Sequence, residues 1–265
     1  MAPRPLEIIR VASAAHHTQP IAFDCDHAIV DVAPPVVSGA PGPTYRLRID
    51  AVGDAAVVRE VEPTLLPACC PERHINRDGT FCLYWEEAEP LSVTDAESAS
   101  LWFGKLLVFL RRQRVAAARR QWPAKAEARA HGMRAARHQA VAERAASELG
   151  PRLRRQLDEL RLSTRRKSVA GQPRIRLLRD GVRLVTVSER DSRLMTKRAR
   201  CKCDDAAQLG LPACACGDHE AALTNLTLAI HGWKRAEEEF YAAYTALGIE
   251  CCGTMDDCPL RKETA

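Results

Sequence analysis

Cysteine carries most of the chemistry open to this chain. Cys82 closes the segment Pro71-Glu72-Arg73-His74-Ile75-Asn76-Arg77-Asp78-Gly79-Thr80-Phe81-Cys82. A thiol acts as a nucleophile when it is accessible and partly ionised. Asp78-Gly79 suits a tight turn that would present such a sulfur, and Arg73 and Arg77 lie near enough in sequence to favour a thiolate. Two other readings compete: a half-buried cysteine at a strand start, and a Cys82–His74 dyad of a cysteine peptidase. The dyad lacks a recognisable third group and the helix-borne nucleophile common in such enzymes. Cys69 and Cys70 could be a metal pair, a redox partner for Cys82, or small residues packing the loop. Farther on, Cys201-Lys202-Cys203 and Cys214-Ala215-Cys216 form two close pairs, with His219 just beyond and Cys251, Cys252 and Cys258 after a helix. Zinc takes four thiolate or imidazole ligands in a tetrahedron, and Cys201, Cys203, Cys214 and Cys216 are the first choice for a structural zinc. The spacing departs from the Cys-X-X-Cys knuckle, so a reduced, cysteine-rich patch packing the helix is the competing reading.

Those residues need elements to hold them. Residues 28–37, 44–52 and 56–66 mix β-branched with alternating polar residues, which predicts a β-meander. A turn-rich loop from Pro67 to Gly79 follows. Thr94 with Glu97 matches a capping box. It opens a helix whose apolar face is Leu101, Trp102, Phe103, Leu106, Leu107, Phe109, Leu110 and Gln113, running to about Gln121. Ala- and Arg-rich sequence continues to about residue 163 as further helix, broken near Gly150-Pro151. Residues 173–188 predict a hairpin around Arg179-Asp180-Gly181. An amphipathic helix spans about 218–247, with the stripe Leu223, Leu226, Ile230, Trp233, Phe240, Tyr244 and Leu247 expected in its core. His131 and His138 are expected on one helical face.

With 46% apolar and 28% charged residues, this is the composition of an ordinary globular chain. No apolar run is long enough for a membrane helix. The first twenty residues lack a signal peptide's apolar core, so a cytoplasmic protein is expected. Eleven cysteines must then be explained without stable disulfides. The net charge of +5 conceals a balance of −7 over residues 1–110, +18 over 111–200 and −6 over 201–265. The basic section nearly lacks aromatic residues for stacking on bases. Nucleic acid is therefore the weaker expectation, behind a solvated or partner-binding face.

The loop around Cys82 resembles that of ubiquitin-conjugating enzymes, which carry His-Pro-Asn, then Gly three residues before the catalytic cysteine, then Leu. Here Gly79 and Leu83 keep those places, Glu72-Arg73-His74 replaces the tripeptide, and His74 stands where the family has Asn. The N-terminal helix of the eukaryotic family looks weak or missing. Both departures suit divergent bacterial relatives, some of which carry cysteine-rich extensions; the resemblance covers about residues 25–130. It implies an α+β fold with an antiparallel meander, an active-site loop and packed helices, followed by a helical and hairpin cysteine-rich region. The expected domains are residues 1–130 (catalytic), 131–170 (Arg-rich connector) and 171–265 (cysteine-rich, zinc-binding).

The implied function is a transferase that carries a ubiquitin-like protein as a thioester on Cys82. His74 would support transfer, and Asp78 and Gly79 would shape the loop. Catalysis would need no cofactor. The partners implied are the modifier, its activating enzyme, and a ligase or target, with no membrane. A role in antiviral defence would suit the bacterial relatives. The alternative is a non-catalytic, zinc-stabilised scaffold binding protein or nucleic acid.

Overall fold

The computed structural model describes residues 4–36, 42–85, 87–123, 129–204 and 210–261. The chain divides into two compact units, one of residues 1–123 with 249–265 and one of residues 124–248.

The first unit is a helix, a four-stranded antiparallel meander and a second, longer helix. Helix α1 (Pro5–Ser13) is present, against expectation. Pro5 presets the first turn, and Leu6, Ile8 and Ile9 are buried. Strands β1 (Thr18–Phe23), β2 (His27–Val32), β3 (Tyr45–Val52) and β4 (Ala55–Glu60) pair in chain order. The last three follow the alternation in the sequence, burying Ala28, Val30, Val32, Tyr45, Leu47, Ile49, Ala56 and Val58. Strand β1 gave no such signal: it is an edge strand, mostly exposed, with Pro20 beside a register shift, where a missing N–H is tolerated.

Helix α2 (Ala96–Arg119) covers the sheet. Its cap is Asp95 rather than Thr94, because the Asp95 carboxylate accepts the Ser98 N–H at 2.8 Å while the Ser98 hydroxyl oxygen accepts the Asp95 N–H. Trp102, Phe103, Leu106 and Leu110 are fully enclosed. The Trp102 indole donates to the Ala56 carbonyl at 3.0 Å, fastening α2 to β4. Residues 249–261 belong to this unit, and the Asp256 N–H donates to the Arg120 carbonyl at the end of α2.

The second unit packs helices α3 (Met133–Leu149), α4 (Pro151–Asp158) and α5 (His219–Ala246) with strands β5 (Leu162–Val169), β6 (Gln172–Arg179), β7 (Val182–Ser188) and β8 (Arg193–Leu194). The break at Gly150-Pro151 and the β6–β7 hairpin fall where the sequence puts them. Asp180 and Gly181 both take positive φ, as a two-residue type I′ turn requires. Strand β5 fills the stretch between the expected helix, which ends at about residue 163, and the hairpin at 173, where the sequence predicts no element; its residues are nearly all exposed, so no alternation betrays it. His131 precedes α3 while His138 lies on it, so the two do not share a helical face. A Cβ at Gly232 would stand 2.6 Å from the His138 ring, so that histidine packs where α5 has no side chain. Of the expected α5 stripe, Leu223, Leu226 and Ile230 are buried and Leu247 is exposed.

Candidate functional site

Cys82 stands at the end of a loop whose backbone is clamped almost residue by residue. Cys70 and Ile75 exchange N–H···O bonds of 3.1 and 3.0 Å, closing a small ring over Pro71–Arg73. The Asn76 N–H donates to the Thr80 carbonyl at 2.8 Å and the Gly79 N–H to the Asn76 carbonyl at 3.0 Å, which makes the tight turn. The Phe81 N–H donates to the Val58 carbonyl, hanging the loop from β4. The Cys82 N–H donates to the His74 carbonyl at 2.8 Å.

The turn residues act as their types allow. Gly79 has φ +81°, a conformation that costs most residues about 1–2 kcal/mol and glycine nothing. The Asp78 carboxylate accepts the Thr80 N–H at 3.1 Å and the Thr80 hydroxyl at 2.6 Å. Burial works against its charge, but those hydrogen bonds outweigh it and hold its pKa below the usual carboxylate value. His74 also takes a left-handed conformation, φ +55°, one that Asn and His accept more readily than most residues. Its ring lies 4.9 Å from that of Trp122.

Beneath the loop, Arg73 and Gln113 form a buried reciprocal pair. The Arg73 Nε donates to Gln113 Oε1 at 2.7 Å, its Nη2 to the Gln113 carbonyl at 3.2 Å, and Gln113 Nε2 to the Arg73 carbonyl at 2.6 Å. Sequence reasoning assigned Arg73 to thiolate stabilisation and Gln113 to an apolar face; their shared role depends on a contact forty residues apart. Trp122, against the His74 ring, and Thr254, whose hydroxyl accepts from Arg73 Nη1 at 3.3 Å, also lie outside the sequence expectation for the loop. No local pattern marks them.

Cys82 itself is exposed. Even so, the protein around it desolvates the sulfur and raises its pKa above the ordinary thiol value, with no charged neighbour contributing. Arg73 and Arg77 therefore do not activate it.

The second unit gathers Cys201, Cys203, Cys216 and His219, whose ligand atoms all lie within 4.8 Å of one another. The Cys216 sulfur is 3.0 Å from His219 Nδ1, the Cys201 sulfur 3.6 Å from the same nitrogen, and the Cys203 sulfur 3.6 Å from that of Cys216. Cys201 and Cys203 come from the loop after β8, Cys216 follows a short 3-10 turn (Ala213–Ala215), and His219 is the first residue of α5. Cys214 is exposed and stands outside this group, with His219 in the place expected for it. At the 3-10 turn Cys216 is buried while Cys214 stays exposed, and α5 opens with the imidazole beside Cys216. Desolvation and thiol hydrogen bonds from Cys201 and Cys203 push the Cys216 thiol up to about 12. Such a set ionises together only around a cation. Three thiols and one imidazole at these separations fit a tetrahedral ion with sulfur about 2.3 Å away.

Comparison with protein families now settles what this arrangement belongs to. Residues 20–124 match the model of a prokaryotic E2 domain, and residues 130–260 that of a cysteine-rich domain C-terminal to an E2 domain. This chain is a prokaryotic E2-like protein with a cysteine-rich extension. No curated protein and no solved structure matches it. The E2 match contains the whole Cys82 loop, and the cysteine-rich match contains the Cys201 group and the three tail cysteines. An E2-like conjugating role follows in general terms. Among the described residues, no helix is long and apolar enough to cross a membrane.

Proposed function

We propose that this chain accepts a ubiquitin-like protein as a thioester on Cys82 and passes it to an amine, within a bacterial ubiquitin-like modification system. The observation that supports this reading most is the setting of Cys82: an exposed sulfur on a clamped loop, in surroundings that raise its pKa without any charged partner.

In the first step the Cys82 sulfur attacks the thioester carbonyl of a charged activating enzyme. A new C–S bond forms, the old one breaks, and the proton lost by Cys82 ends on the departing thiol. In the second step an amine attacks the same carbonyl, an amide forms, and Cys82 leaves with a proton from the amine. A thiol of raised pKa is a slower leaving group, so the loaded thioester resists stray hydrolysis. A peptidase needs the reverse, a thiolate made ready by an imidazole; His74 makes no such contribution to Cys82.

His74 serves the transfer in two ways on this reading. Its carbonyl fixes the Cys82 backbone, and its ring supplies an N–H for the oxyanion. Asp78 and Gly79 hold the turn. Zinc bound by Cys201, Cys203, Cys216 and His219 would fix the loop after β8 to the start of α5, and the partners are the modifier, its activating enzyme, and a ligase or target.

The test is a charging assay with the cognate modifier, its activating enzyme and ATP, resolved on a non-reducing gel. The expected band is larger by one modifier, disappears with dithiothreitol, is absent in Cys82→Ala, and becomes thiol-resistant in Cys82→Ser. No adduct from a demonstrably charged activating enzyme would sink the carrier role and leave the scaffold.

A further inference from the structure

The cysteines left over by the loop and by the Cys201 group are not scattered. Cys70, at the root of the Cys82 loop, meets Cys252 of the 249–261 segment with sulfurs 3.0 Å apart. Cys258 lies within hydrogen-bonding reach of the Cys251 thiol and close enough to Cys252 to interact with it electrostatically. Cys70 and Cys258 are buried, Cys251 and Cys252 half-buried.

The Gly253 N–H donates to the Cys251 sulfur at 3.4 Å, and the Thr254 hydroxyl lies 3.0 Å from the Cys252 sulfur. A neutral thiol is a weak acceptor, so such donors suit sulfurs that ionise on binding a metal. A matching cation stands beside them. Arg73 is 2% exposed and has no carboxylate partner among the described residues. Its donors go to Gln113 and to the Thr254 hydroxyl of the 249–261 segment, the latter at 3.3 Å. A buried guanidinium without a counter-ion is costly, and a tetrathiolate zinc centre, with a net charge of −2, would supply one.

We propose that Cys70, Cys251, Cys252 and Cys258 form a second zinc centre, which pins the 249–261 segment to the root of the Cys82 loop. Among the described residues only the Cys201 group already has all its ligand atoms within 4.8 Å. Zinc–sulfur bonds of about 2.3 Å set tetrahedral sulfurs about 3.7 Å apart. A metal would therefore spread Cys70 and Cys252 from their 3.0 Å contact and draw Cys251 and Cys258 toward them. Binding releases the thiol protons to solvent and involves no redox change.

The test is the zinc content of the full chain, purified under reducing conditions, with X-ray absorption to read the ligand shell. The wild type should hold two equivalents, and Cys252→Ser/Cys258→Ser one. Cys216→Ser should lose the other equivalent independently. The wild-type shell should contain more sulfur than three sulfurs and one nitrogen per zinc, a readout that stands even if a variant fails to fold. A single equivalent with three sulfurs and one nitrogen would overturn the centre. So would recovery of Cys70 and Cys252 as a disulfide, read as a mass two hydrogens lower.

Discussion

The Cys82 loop and the Cys201 group spend the same side chain in opposite ways. Around Cys82 the loop is held by backbone, by Asn76, Asp78 and Thr80, and by Arg73 and Gln113 beneath; the sulfur itself is exposed. Around Cys216 the side chains are the structure: three buried sulfurs and an imidazole converge, and without a cation their ionisation is mutually opposed. On the proposed reading, a thiol kept for chemistry is relieved of structural duty, and a thiol kept for structure is made unfit for chemistry. The difference is one of energy, so mutation can measure it.

The largest contrast should come from exchanging sulfur for oxygen at both places. Structural zinc is worth on the order of 10 kcal/mol in small zinc-dependent peptides. In a unit with its own apolar core, Cys216→Ser should still cost at least ~3 kcal/mol, read as a lowered unfolding midpoint of residues 124–248 and lost zinc. Cys82→Ser should shift the midpoint of the first unit by no more than about 0.5 kcal/mol, as surface substitutions do, while removing thioester formation entirely. Equal effects on stability would dissolve the comparison.

Beneath the loop the expected effect is intermediate. Arg73→Leu strands the buried Gln113 amide, and unsatisfied buried polar groups cost about 1–3 kcal/mol each. The loop should loosen with it, so hydrogen exchange at Ile75, Phe81 and Cys82 should quicken while that of α5 stays unchanged. Protection unaltered at those amides would show that the loop is held from elsewhere.

A smaller effect tests the turns. Gly79→Ala meets only ordinary contact, with Ala68 O at 3.7 Å, so its cost is the positive φ alone, about 1–2 kcal/mol. The same change at Gly217, φ +53° with open space around it, should lower zinc affinity instead of slowing charging. Each variant should leave the other unit's readout alone.

How much of this was legible follows from where each signal is carried. Strands β2 to β4 announced themselves because one face is buried, and α2 because its apolar face is broad. The edge strands β1 and β5 did not, since an exposed strand has no reason to alternate. Helix α1 was undervalued because nine residues give little periodicity to read. The Cys82 loop was visible as spacing, Gly79 then Cys82 then Leu83, since a turn is a local device. His219 is as visible in the sequence as Cys214, but which of them completes the group depends on which side chain the 3-10 turn leaves exposed. Arg73 with Gln113, and Cys70 with Cys252, join residues 40 and 182 apart, and nothing local encodes such partners.

The smallest effect separates two exposed thiols. Cys25 and Cys82 both have raised pKa values, but for different reasons: Cys25 through a hydrogen bond with Asp26 and that carboxylate's charge, Cys82 through desolvation. A thiol is neutral below its pKa, and alkylation follows the thiolate fraction. At low salt, carbamidomethylation of both, resolved by peptide mass spectrometry, should therefore keep rising beyond the level where an ordinary thiol of pKa about 8.5 flattens. Salt at about 1 M shortens the screening length to about 3 Å. That should move the Cys25 profile toward lower pH and leave that of Cys82 in place, since a desolvation penalty has no distant charge to screen. If the Cys82 profile moves as well, a carboxylate governs that sulfur. Its reluctance to ionise would then be an electrostatic accident of the surface and not a property built into the loop.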